Sequence, residues 1–83
     1  MNNHYITKTA TSEAFFDGLL DSCQANLILE WWVQNLRVFL HFTTTGGGYL
    51  LWLNGASLPV NEEMYQYICE AGSERGIPIF TEE

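Results

Sequence analysis

Positive charge is what this chain has least of. Among its 83 residues only Lys8, Arg37 and Arg75 are basic, against ten Asp and Glu, and the formal net charge is −7. Binding to a nucleic-acid backbone needs Lys and Arg to displace counterions, so direct nucleic-acid binding is not expected. Anionic membranes repel such a chain for the same reason. A charged partner would have to be basic, and hence a basic protein.

Cysteine is scarce too. Cys23 and Cys69 are one pair, and one pair is not a disulfide framework. They read as reduced thiols acting as small hydrophobes on helix faces. His4 and His41 lie far apart in sequence, and neither has a cysteine at ligand spacing, so no metal and no cofactor are expected. His41 reads as a partly exposed histidine on a sheet. No apolar run reaches the roughly 18–20 residues of a membrane span. The segment MNNHYITKTATSE lacks the basic start and apolar stretch of a signal peptide. The expectation is a soluble, cytoplasmic protein.

What the chain does have is apolar and aromatic content, 47% and 14% of residues, which opposes disorder. The length suits one small domain, residues 1–83, with a thin stability margin. Residues 4–8, HYITK, suggest a short strand. Thr9 to Ser12 offers several helix N-caps, and Phe15, Phe16, Leu19, Leu20, Cys23 and Leu27 then recur at helical spacing. A helix is predicted from about Ser12 to Ala25. Leu27 to Val33 fits either state, and its aromatic and β-branched content modestly favours a strand. Leu36, Val38, Leu40 and Phe42 alternate with Arg37, Phe39, His41 and Thr43, the period of a half-buried strand.

The stretch FTTTGGGYLLWLN, residues 42–54, raises the question of a phosphate loop. Such a loop needs a lysine and leads into a helix. Here the glycines lead into the strand Tyr49 to Leu53, so they read as a hairpin tip. Asn54-Gly55 signals a second tight turn, with a short return strand after it. Asn61 is the predicted N-cap of a second helix, with Glu62 and Glu63 in its first turn and Gly72 or Gly76 at its end. Ile77 to Phe80 reads as a last strand. The fold class is therefore α+β: an antiparallel β-meander of three to four strands with two amphipathic helices, in the order β-α-β-β-β-α-β.

Two patterns stand out as candidate sites. Glu13, Asp17 and Asp21 stack at i, i+4 and i+8, about 6 Å apart along the helix, and no Lys or Arg at i±4 relieves them. Each like-charge pair costs a few tenths of a kcal/mol. Glu63, Glu70 and Glu74 share a face of the second helix, with Tyr67 between them. The second pattern is aromatic. If the helices cover one sheet face, Trp32 and Phe39 are left on the other, and such groups suit an interface.

In size and charge the chain resembles the small acidic inhibitors of phages and mobile elements, among them anti-CRISPR proteins and DNA mimics. That resemblance of class implies a non-enzymatic protein that binds and inhibits or modulates a basic protein partner, of the kind that handles nucleic acid. If the acidic ridge of the first helix meets that partner, Asp17→Lys with Asp21→Lys abolishes binding and leaves the fold intact. The alternative reading is a homodimeric adaptor, immunity or assembly domain acting through the aromatic sheet face. The helix, hairpin and Asn-Gly turn are also similar to a winged-helix layout, which at this charge would bind protein.

Overall fold

The computed structural model describes residues 4–33, 39–53 and 55–83, without the side chains of 26–33. Its elements run α1 (Ala10–Val33), β1 (Leu40–Thr44), β2 (Tyr49–Leu53), β3 (Ala56–Val60), α2 (Glu62–Glu74) and β4 (Ile79–Glu82). The α+β class is as expected.

α1 begins where two hydroxyls cap each other. Thr9 Oγ1 accepts from the Ser12 N–H at 3.1 Å, and Ser12 Oγ accepts from the Thr9 N–H at 2.8 Å. This is a capping box built with serine in place of Glu or Gln. The helix then continues to Val33, so residues 27–33 are helical and not a strand. No Gly or Pro interrupts the run from Leu19 to Val33. Extending a formed helix costs far less than ending it and nucleating something new. The expected exposure of Trp32 beside the sheet was argued from that strand, and its side chain lies outside the described residues. Leu36, Arg37, Val38 and Asn54 lie outside them as well.

β1, β2 and β3 form the antiparallel meander, with Phe42 opposite Leu51 and Leu51 opposite Leu58. The GGG segment is the β1–β2 hairpin tip, closed by the Thr45 N–H donating to the Gly48 carbonyl at 2.9 Å. Gly55 has φ +83°, the left-handed backbone expected of the second turn. β4 differs from a meander strand: it lies parallel to β1, giving the order β3-β2-β1-β4. Parallel pairing needs a crossover, and α2 supplies it between β3 and β4. The strand expected at residues 4–8 reduces to one bridge, Ile6 to Val60. Beyond it the backbone leaves the sheet to enter the α1 cap, where Ser12 Oγ donates to the Thr7 carbonyl at 2.7 Å.

α2 has both predicted ends. Asn61 Oδ1 accepts from the Met64 N–H at 2.9 Å. At the other end Gly76 has φ +76°, the Ile77 N–H reaches the Gly72 carbonyl, and the Gly76 N–H reaches that of Ser73. This is a Schellman cap, and Ile77 is buried as its apolar partner. Gly72 itself sits inside the helix, where an added Cβ would come 3.1 Å from Leu40 Cδ1. The core is Phe16 and Leu20 of α1, Met64, Ile68 and Ala71 of α2, and Leu40, Phe42, Leu51 and Val60 of the sheet. Tyr65 stacks on Tyr49 at 3.6 Å and meets Phe42 edge-on. Both helices thus pack on one face of the sheet. Among the described residues no helix is long and apolar enough to cross a membrane.

Candidate functional site

Of the six carboxylates singled out in the sequence, Asp17, Glu63, Glu70 and Glu74 line two adjoining depressions, and Glu13 and Asp21 pair with the Lys8 and Arg75 of those linings. One shallow depression of about 250 Å³ is lined by Asp17, Tyr67, Glu70, Ala71, Glu74 and Arg75. A second, of about 190 Å³, adjoins it and is lined by Lys8, Glu63, Gln66, Tyr67 and Glu70.

The α1 ridge is not left uncompensated. Lys8 Nζ lies 3.5 Å from Glu13 Oε2, and Arg75 Nε donates to Asp21 Oδ1 at 2.9 Å. Tyr67 donates its hydroxyl proton to Asp17 Oδ1 at 2.7 Å. Helical spacing along α1 shows no relief because the relief comes from other elements. Arg75 also caps its own helix, donating from Nη1 to the Ala71 carbonyl at 3.0 Å. The Asp17 carboxylate pushes the Tyr67 hydroxyl up to about 12, with burial adding to the effect. The hydrogen bond to Asp21 raises the Arg75 guanidinium in the same way. Asp17 and Asp21 therefore hold the helices together, and reversing their charge would disturb the fold as well as any binding. Glu63, Glu70 and Glu74 make no ion pair among the described residues and point to solvent.

On the far side of the sheet the register puts His41, Thr43, Leu50, Trp52, Phe80 and Glu82 on one face. Phe39 joins them, 5.3 Å from the Phe80 ring and edge-on to it. Phe39 is 42% exposed, Trp52 39% and Phe80 57%. Trp52 Nε1 donates to Thr43 Oγ1 at 2.9 Å, and His41 Nε2 lies 2.9 Å from Glu82 Oε1. His41 is thus the half-buried sheet histidine expected. Phe80 was not singled out in the sequence, although Ile77 and Ile79 alternate with it.

The glycine loop flanks a third depression, lined by residues 44–49 and Glu62. Its Gly47 and Gly48 N–H groups both donate to Thr45 Oγ1, which also meets the Tyr5 hydroxyl at 2.6 Å. The loop's donors are turned onto its own threonine beside a carboxylate, the opposite of an anion cradle. Burial raises the thiols of both Cys23 and Cys69, keeping them protonated and weakly nucleophilic. Among the described residues no three His, Cys, Asp or Glu side chains are grouped to hold a metal ion. In comparisons with protein-family models, curated proteins and solved structures, nothing matches this chain.

Proposed function

We propose that this is a non-enzymatic interaction protein whose acidic helical side binds a basic protein and inhibits or modulates it. Its size and charge resemble those of the small acidic inhibitors of phages and mobile elements. One observation carries the reading. Asp17, Glu63, Glu70 and Glu74 line two adjoining depressions, Glu13 and Asp21 pair with the Lys8 and Arg75 there, and among the described residues this leaves an excess of four negative charges. A low-dielectric wall between two acidic helices concentrates that field and speeds the approach of a cationic surface. Glu63, Glu70 and Glu74 are the residues that would meet the partner. Asp17, Asp21 and Glu13 set the field while holding the helices.

The test is affinity capture with the tagged protein from cells of its source, beside a Glu63→Lys, Glu70→Lys, Glu74→Lys variant. These positions are exposed and make no ion pair among the described residues, and circular dichroism checks that the variant keeps the fold. A basic protein captured at low salt should be lost with the variant. It should also be lost near 1 M salt, where charges are screened beyond about 3 Å. Capture that neither the variant nor salt reduces would overturn the proposal.

A further inference from the structure

The open face of the sheet lies opposite the acidic helices and differs from them in chemistry. Its three large aromatics expose, at roughly 200 Å² per side chain, about 280 Å² of ring surface. Gathered in one place, that area approaches the largest apolar patch of a typical monomer, about 300–600 Å², which is often functional. Trp52 is held against Thr43 and Phe39 against Phe80, so the rings are already ordered before anything binds. Little side-chain entropy remains to be lost on docking.

Charge decides among occupants. Glu82 is the only carboxylate that the register puts on this face among the described residues, and His41 holds it. Among the described residues no Lys or Arg lies there, so none of them offers a cation to the phosphates of a nucleic acid stacking on the rings. The basic partner of the helical side would find no excess of negative charge. A second copy meets no such obstacle. Two of these faces approach without bringing the acidic helices together, because those project away on both outer sides. In a twofold arrangement each face meets its own equivalent, so His41 of one copy can reach Glu82 of the other, and the reverse.

We propose that this face, centred on Phe39, His41, Trp52 and Phe80, is a self-association surface that pairs two copies sheet to sheet. The area is modest. Two sets of rings give about 560 Å², and with the flanking half-buried Thr43, Leu50 and Pro59 the total stays under about 1,000 Å², the range of weak, transient contacts. The dimer is therefore weak and concentration-dependent. It presents an acidic groove on each outer side, but its formation does not depend on that groove binding anything.

The test is sedimentation equilibrium of the full chain over a wide concentration range, at low and high salt. The expected result is a monomer–dimer equilibrium that survives high salt. Phe80→Asp should weaken it at least about tenfold, since a buried aromatic anchor carries most of such an interface. Phe15→Asp is the control: Phe15 is 54% exposed but sits on α1, away from this face, and should leave the equilibrium unchanged. Ser57→Glu is a second, gentler variant, placed opposite Trp52 in the register. It should also dissociate the dimer, with unchanged circular dichroism. A monomer at all concentrations, or a dimer that persists in folded Phe80→Asp and Ser57→Glu, would overturn the proposal. Equal disruption by Phe15→Asp would overturn it too.

Discussion

The glycine run gives the sharpest test of the packing. None of Gly46, Gly47 and Gly48 has a left-handed φ, so alanine meets no backbone strain at any of them. The difference among them lies only in space. A Cβ on Gly46 meets nothing within 4 Å. On Gly47 it comes 3.1 Å from Tyr5 Cε2, the movable end of a side chain. On Gly48 it falls 2.5 Å from the Val60 carbonyl oxygen and 3.0 Å from two Tyr5 ring carbons. Ordinary contact begins at 3.4 Å, so the Val60 carbonyl would have to retreat by about 0.9 Å. Val60 is itself buried, closes β3 and pairs with Ile6, so that retreat disturbs the sheet. Gly46→Ala should stabilise by about 0.4–1 kcal/mol through the unfolded chain. Gly48→Ala should destabilise by about 1–3 kcal/mol. In a domain of this size each kcal/mol moves Tm by about 4–8 °C, which thermal and urea melts followed by circular dichroism resolve easily. A Tyr5→Ala background should make Gly47→Ala harmless but not Gly48→Ala, whose main obstacle is backbone. If Gly46→Ala and Gly48→Ala melt together, the reasoning is wrong.

Two further substitutions test the helices. Tyr67→Phe removes the hydrogen bond to Asp17 and should cost about 1–2 kcal/mol for a bond to a charged acceptor at a partly exposed site. Because the folded hydroxyl titrates near 12 and the unfolded one near 10, the native protein favours the protonated phenol. Its contribution is complete below pH 10 and disappears as pH rises to 12, so stability should fall more steeply over that window in the wild type than in Tyr67→Phe, which keeps the raised Tyr49 and Tyr65 hydroxyls. Asn61→Ala should cost about 1 kcal/mol by removing the α2 cap, read as a lower midpoint in urea.

Much of this was legible because it is local. Asn61 as a cap, Gly76 as a helix end, Gly55 as a turn and the alternation of Leu40 to Thr43 each depend on a few neighbouring residues. The continuation of α1 through Leu27 to Val33 was not legible, because an apolar run of that length satisfies either period. The parallel placement of β4 was hidden as well, since Ile77 to Phe80 reads the same in either direction of pairing. For the candidate site, spacing placed the acids on helices but could not place Arg75 and Lys8 over them. Those contacts join residues more than fifty positions apart in one case, from Asp21 to Arg75.

The bridge at Ile6 and the strand β4 have a consequence for how the molecule comes together. They occupy opposite edges of the sheet, yet they lie at opposite ends of the sequence. The β1–β2–β3 hairpins close over short loops and can form early. Each edge must wait for a long loop to close, with entropy lost before any contact is gained. Amides of Ile6 and of Phe80 to Glu82 should therefore exchange through separate openings, each faster than Phe42 or Leu51 at the sheet's centre. Among the described residues nothing pairs with the outer edge of β4, which is then the first place where a breathing molecule offers unpaired backbone, and Glu82 and Glu83 stand beside it as charges that discourage a neighbouring strand.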